Sequence, residues 1–247
     1  MCAFDPFADI APRRVGGLAF WPMEDARGRD IASDGARLFK GALKQCIAEL
    51  EAAVARLPAD EAGVRIHGVE GLKPLLAGDG PIGVIAATVL GHGARPVRAV
   101  LFNKTPATNW SLGWHQDRTI CVREKVEVSG FGPWTLKRGM HHVEPPFRLI
   151  ERMVTVRAHL DEVSAANAPL LIAPGSHRLG RIMVKDVADI VRRCGTRACL
   201  AEAGDVWLYA TPILHASEAA AAPTARRVLQ VDFAAEPLPG GLAWLGI

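Results

Sequence analysis

The amino-acid sequence predicts an α+β fold that is mainly β, with a helical N-terminal part followed by an antiparallel β sandwich or barrel. Three observations carry this expectation. Apolar residues recur at helical spacing in the first part of the chain. From residue 97 the hydrophobic period changes to two. No long helical pattern separates the later strands, which argues against a parallel α/β sheet.

The elements follow in order. Over residues 35–57, Leu38, Leu43, Ile47, Leu50 and Val54 fall on one helical face and Pro58 stops the run, so one helix is expected there. A shorter helix is expected between residues 80 and 92. Five short runs bounded by Gly, Pro or Asn then read as strands: VRAVLFNK, ERMVTVRAHLD, APLLIAP, GDVWLYAT and RRVLQVDFA. In the second of these, Met153, Thr155, Arg157 and His159 alternate with Val154, Val156, Ala158 and Leu160. In the last, Arg226, Val228, Gln230 and Asp232 alternate with Arg227, Leu229, Val231 and Phe233. Such strands fit either a half-exposed sheet or a barrel with helices outside and a polar pocket inside. His141 and His142 fall in a stretch that reads as a long loop of the kind that covers a pocket.

Composition narrows the function. A chain of 247 residues with 49% hydrophobic content is globular and fits one domain. The net charge of +3 is small and its basic residues are dispersed, apart from Arg192, Arg193 and Arg197, which read as a solvated face. No nucleic-acid partner is expected, because that needs a clustered stripe of charge. No stretch has the length and apolarity of a membrane span. The N-terminus carries Asp5 and Asp9 and lacks an apolar signal core. The five cysteines, Cys2, Cys46, Cys121, Cys194 and Cys199, are odd in number and form no C-x-x-C pair, so they are read as reduced thiols of a cytoplasmic protein.

NWSLGWHQDRTI, residues 109–120, contains a His-x-Asp triplet, His115-Gln116-Asp117. Residues i and i+2 of an extended segment project from one face, so the triplet can bring two metal ligands together. Two imidazoles and one carboxylate on one face suit a non-haem Fe(II) oxygenase and leave positions open for co-substrate and oxygen. A second triplet, His159-Leu160-Asp161, offers the same local geometry. The third ligand must come from a distant strand, and His215, ahead of the last strand, is a candidate. A keto-acid co-substrate also needs a buried cation, and Arg suits a carboxylate through its planar fork. Arg226, eleven residues after His215, lies on the polar side of its strand, whereas Arg227 lies on the apolar side. Ser217 shares the direction of His215.

FNKTPATNWSLGWHQDRTI, then LDEVSAANAPLLIAPGSHRLGRI, then YATP running into ILHASEAAAAPTARRVLQ, resemble the phytanoyl-CoA dioxygenase-like family over roughly residues 97–240. The resemblance implies a double-stranded β-helix (jelly roll, cupin-like) core over residues 96–240, with residues 1–95 as mostly helical support on its outer face. It implies Fe(II), 2-oxoglutarate and O2 as cofactor and co-substrates, with ascorbate as in vitro reductant. His115, Asp117 and His215 would hold the metal, and Ser217 and Arg226 the distal carboxylate of 2-oxoglutarate. Arg157 corresponds to a position lining the co-substrate pocket that is often aromatic in relatives. His159 would be a pocket-facing residue, Asp161 a turn residue and His177 part of a structural turn. Where relatives carry Gly after Asn, this chain has Ala168, and Asn167 is expected to hold the turn. His142, Trp134 and Gln116 are weaker substrate-side candidates.

The resemblance implies hydroxylation of a small molecule with release of succinate and carbon dioxide. Related halogenases replace the carboxylate ligand with a small residue, so Asp117 favours hydroxylation. Two rivals are a non-oxidative cupin-like metalloenzyme and a β-sandwich binding protein with a vestigial metal site. Neither needs a keto-acid clamp such as Ser217 with Arg226.

Overall fold

The computed structural model describes residues 31–221 and 224–247 and the two short strands β1 (Arg13–Val15) and β2 (Leu18–Phe20), which pair with each other. Cys2, Asp5 and Asp9 lie outside the described residues.

Two antiparallel sheets form the core. The larger has the order β3-β13-β10-β15-β5-β4, from β3 (Ala36–Phe39), β4 (Gly63–Ile66), β5 (Arg95–Lys104), β10 (Val154–His159), β13 (Val206–Ala210) and β15 (Arg226–Ala234). The smaller has the order β12-β11-β14-β6, from β6 (Leu112–His115), β11 (Leu170–Ile172), β12 (Arg197–Cys199) and β14 (His215–Ser217). A third sheet, β7 (Ile120–Val122), β9 (Met140–Val143) and β8 (Trp134–Lys137), lies alongside. The fold is α+β and mainly β, a jelly roll of the double-stranded β-helix kind, and every pairing in it is antiparallel.

The alternation in β10 and β15 has a single cause, since both faces are buried. Val154, Val156, Ala158, Leu229, Val231 and Phe233 pack outward against α2 (Ile47–Val54) through Leu50 and Val54, and against α4 (Gly83–Leu90) through Ile85 and Ala86. Burying each large apolar side chain there contributes about 1.5–3 kcal/mol. The opposite faces, with Arg157, His159, Arg226 and Gln230, are also buried. The barrel with a polar inside and helices outside is therefore the observed arrangement, and the half-exposed sheet is not.

The single helix expected over residues 35–57 is corrected. Residues Ala36–Phe39 form β3, paired with β13, and the helix spans only Ile47–Val54. Gly35 and Gly41 adopt φ of +78° and +63°, which interrupt a helix on both sides of β3. At Gly35 a Cβ would come within 2.4 Å of the His177 ring, and His177 donates from Nε2 to the Ala32 carbonyl at 3.2 Å, a structural contact. Residues 31–95 are thus not mostly helical, for they supply two strands, β3 and β4, to the larger sheet. The shorter helix expected between 80 and 92 is α4.

His141 and His142 are not in a loop. They lie in β9, hydrogen-bonded between β7 and β8. Arg192 and Arg193 pair with Asp189 on one exposed helical face, and Arg197 pairs with Asp34. No helix among the described residues is long and apolar enough to cross a membrane.

Candidate metal centre

A cavity of about 380 Å³ lies between the two sheets. From the larger sheet Arg98, Phe102, Arg157 and Gln230 face it, and from the smaller His115, His215 and Ser217.

β6 and β14 are neighbouring strands, and their pairing sets His115 directly opposite His215. The ring centroids are 4.3 Å apart. Asp117 projects from the same side two residues after His115, and one ligand atom of each of the three lies within 4.8 Å of the others. Each imidazole donates from Nδ1 to the carbonyl two residues earlier, His115 to Gly113 at 2.8 Å and His215 to Ile213 at 3.0 Å. A carbonyl only accepts, so each Nδ1 carries a proton and Nε2 is the nitrogen left to bind a metal. Burial lowers the pKa of His215 to about 4 against the pull of Asp117, which keeps that ring neutral. Burial works against the Asp117 charge, but Arg98 outweighs it and holds the carboxyl below its ordinary pKa. Arg98 bridges Asp117 (3.2 Å) and Asp232 (2.6 Å), so Asp117 is held ionised and oriented. Two imidazoles with Nδ1 engaged and an ionised carboxylate fit a divalent transition metal with open positions.

The second triplet does not converge. Asp161 accepts from the backbone and side chain of Arg227 on the outer face of the sheet. His159 is buried with both ring nitrogens unpartnered, and burial lowers its pKa to about 3, with Arg157 and Arg226 adding to the effect.

Arg226 and Arg227 point to opposite sides, as the strand parity requires. Arg226 is buried and lines the cavity, whereas Arg227 pairs with Asp161 and Glu51. One Arg226 nitrogen donates to the carbonyls of Asn167 and Ala168, and its Nε has no partner. Ala168 itself takes the left-handed conformation, φ +49°, and the Asn167 side chain is tied to Thr224, Nδ2 donating to Oγ1 at 2.7 Å and Oδ1 accepting from the amide at 3.4 Å. The backbone there turns to aim the Ala168 carbonyl at Arg226. Ser217 lines the cavity beside Arg226. Arg157 donates to Gln230 Oε1 at 2.7 Å and sits over the Phe102 ring, 5.4 Å from its centroid.

Three weaker candidates are not brought to the cavity. Gln116 points away from both its neighbours, as the middle of an extended triplet must. Its Nε2 donates to the carbonyls of Gly180 and Pro212, and its Oε1 accepts from the Ile182 amide, so it fastens loops together. His142 is buried and donates to the Met140 carbonyl at 3.0 Å. Trp134 packs into the cluster around Val122 and Val143.

Lys104 and Arg98 were not among the expected site residues. Lys104 is fully buried, donates to the Glu218 carbonyl at 2.5 Å and lies 3.5 Å from Ser217 Oγ. Burial, then Arg226 and Arg157, lower its pKa to about 8. Strand parity in VRAVLFNK would have found both residues, since Arg98, Val100, Phe102 and Lys104 share one face.

Solved structures share this fold at low identity. The structure of EctD from S. alaskensis with bound Fe is 18% identical with a TM-score of 0.59, covering 94% of this chain and 82% of that one. The epimerase SnoN from nogalamycin biosynthesis, described as non-heme and alpha-ketoglutarate dependent, is 16% identical with a TM-score of 0.58, covering 85% and 87%. HygX from Streptomyces hygroscopicus, with nickel and 2-oxoglutarate bound, is 14% identical with a TM-score of 0.53, covering 83% and 84%. No curated protein matches the sequence. The family model described as phytanoyl-CoA dioxygenase (PhyH) matches residues 84–228, more than half of the chain. With the jelly roll and its paired His115 and His215 in that span, the chain belongs to the phytanoyl-CoA dioxygenase (PhyH) family.

Proposed function

We propose that the protein is an Fe(II)- and 2-oxoglutarate-dependent dioxygenase that hydroxylates a small molecule and releases succinate and carbon dioxide. The observation that carries this reading is one cavity that holds both the His115, Asp117 and His215 donor set and the buried Arg226, with Lys104 buried directly opposite Arg226 in the sheet. EctD with bound Fe and HygX with nickel and 2-oxoglutarate support it by analogy of fold.

His115 and His215 would hold the metal through Nε2, since each Nδ1 is engaged. Asp117 would complete one face, kept ionised by Arg98. When bound, Fe(II) supplies the activation of O2 and the oxidative decarboxylation of 2-oxoglutarate that deliver an oxygen atom to a substrate carbon. Arg226 and Ser217 would take the distal carboxylate. The unpartnered Arg226 Nε and the absence of a carboxylate partner for Lys104 among the described residues suit an incoming anion. Arg157, held by Gln230, would wall the co-substrate pocket. The Asp117 carboxylate favours hydroxylation over halogenation. A non-oxidative cupin-like enzyme or a vestigial binding protein has no use for this cationic corner.

The substrate is a small molecule on this reading, with neither nucleic acid nor membrane as partner. A cytoplasmic setting is supported by Cys121, Cys194 and Cys199, which form no disulfide among the described residues. The test is succinate release from 2-oxoglutarate in air with Fe(II) and ascorbate. Turnover in the wild type that is absent in His215→Ala supports the reading, and metal-independent or absent turnover overturns it.

A further inference from the structure

We propose, resting on the oxygenase reading above, that the primary substrate is a small oxyanion, bearing a carboxylate or phosphate group held by Arg65 and Lys137 at the end of the cavity away from Arg226.

The cavity lining carries five cationic side chains, Arg65, Arg98, Lys137, Arg157 and Arg226, against one carboxylate, Asp117. Three of the five have assigned tasks. Arg98 is matched by Asp117 and Asp232. Arg157 is engaged by Gln230. Arg226 belongs to the co-substrate corner with Ser217 and Lys104. Arg65 and Lys137 remain, with no hydrogen bond or ion pair to any described residue.

Both face the cavity for structural reasons. Arg65 stands opposite Val100, Val100 opposite Gln230, and Gln230 opposite Arg157, so one row of side chains crosses the larger sheet from β4 to β10. Lys137 ends β8, and the next residue, Arg138, pairs with Glu61 just before β4. That pair ties the β8–β9 hairpin to the β4 edge, close enough for Arg138 to repel Arg65, and Lys137 lines the same cavity as Arg65. It also engages the carboxylate that flanks Arg65 in sequence.

This end is distinct from the co-substrate corner. Four residues along β15 separate Arg226 from the Arg65 row, about 13 Å at strand spacing, and two strand-to-strand steps add about 10 Å across the sheet. Arg226 is fastened to the carbonyls of Asn167 and Ala168 and does not lean toward Arg65. A five-carbon diacid seated between the metal ligands and Arg226 leaves Arg65 unmatched.

Burial lowers the pKa of Arg65, and Arg98 and Arg138 add repulsion. The neighbouring Cys121 thiol, raised to about 11 chiefly by burial, is neutral and offers no charge. A half-buried guanidinium among other cations costs stability unless an anion joins it. Its planar fork fits a carboxylate or a phosphate, and the lysine adds a point charge beside it. A cavity of about 380 Å³ is near the lower end of the range for ligand sites, which limits the second molecule to a small one.

The test uses the full chain loaded with Ni(II) and 2-oxoglutarate, so that binding is read without turnover. Small monocarboxylic acids, their primary amides and methyl phosphate are titrated by calorimetry and by shift of the melting midpoint. The acids or methyl phosphate should bind, the amides at least about tenfold more weakly. Which of the two binds tells a carboxylate substrate from a phosphate ester. Arg65→Gln and Lys137→Gln should each weaken the anion at least about tenfold, and Arg65→Lys should recover part. Equal binding of acids and amides, no anion binding in the panel, or unchanged binding in both Gln variants would overturn the proposal. A wild type that fails to take up Ni(II) or 2-oxoglutarate overturns the oxygenase reading instead, and the same titration on that protein still tests Arg65 and Lys137.

Discussion

Lys104 and Arg226 stand directly opposite each other on β5 and β15, both buried, at 0% and 3% exposure. Like charges in directly opposed cross-strand positions destabilise a sheet. Burial and the neighbouring arginines lower Lys104 to about 8, and burial with Arg157 lowers Arg226 to about 10. Their hydrogen bonds go to carbonyl groups and a serine hydroxyl, none of which carries charge. On the proposed reading, an anion seated there would relieve this repulsion.

Lys104→Met should therefore leave the ligand-free protein as stable as the wild type or stabilise it by about 1 kcal/mol, since a buried unmatched charge is removed. The stabilisation by 2-oxoglutarate, about 2.7 kcal/mol at a hundredfold excess over Kd, should shrink in the variant. Melting with and without 2-oxoglutarate reads both quantities. A strongly destabilised variant with an undiminished ligand shift would show that Lys104 is structural only.

Arg226→Ala should weaken 2-oxoglutarate binding by about 30-fold or more, equivalent to at least about 2 kcal/mol, with metal still bound. Arg226→Lys should recover only part, because the fork is lost. Arg227→Ala removes partly exposed pairs with Asp161 and Glu51, so it should cost about 1 kcal/mol of stability or less and leave affinity alone. Anaerobic titration of the metal-to-ligand charge-transfer band measures the affinities. A larger loss in Arg227→Ala than in Arg226→Ala would contradict the assigned faces.

His115→Ala, Asp117→Ala and His215→Ala should each abolish stoichiometric binding of Fe(II) and turnover while far-UV circular dichroism stays native. His159→Ala and Asp161→Ala should keep the metal. Retention of full metal affinity in His215→Ala would remove the centre as drawn.

His159 has a pH signature. Its folded pKa is lowered to about 3 by burial, from an ordinary value of 6.5, so the folded state excludes a proton that the unfolded state takes up. Its neutral form stabilises the fold fully above pH 6.5, and that stability is lost as pH falls from 6.5 toward 3. His159→Leu should reduce the slope of unfolding free energy against pH below 6.5 by up to one proton, about 1.4 kcal/mol per pH unit. Urea unfolding of both proteins at pH 7.5, 6 and about 5 checks it. Parallel slopes would mean that water reaches the ring.

The sequence by itself determined which residues share a face. Period-two alternation is local, so the shared face of Thr155, Arg157 and His159, the opposition of Arg226 to Arg227, and the common side of His115 and Asp117 were legible without a fold. The strand of residues 226–234 was also legible to its ends. Tertiary structure decided everything that depends on a partner. Residues 36–39 are a strand because β13 offers them an edge, and Gly35 and Gly41 let the chain turn in and out of it. His142 belongs to a sheet because β7 and β8 flank it. The two His-x-Asp triplets have equal local geometry. Only the β6–β14 pairing, which sets His215 opposite His115 across a hundred residues of chain, distinguishes them. The cationic corner and the Arg65 end arise likewise from strands far apart in sequence, because register between strands is set by burial of both sheet faces at once and leaves no short-range pattern.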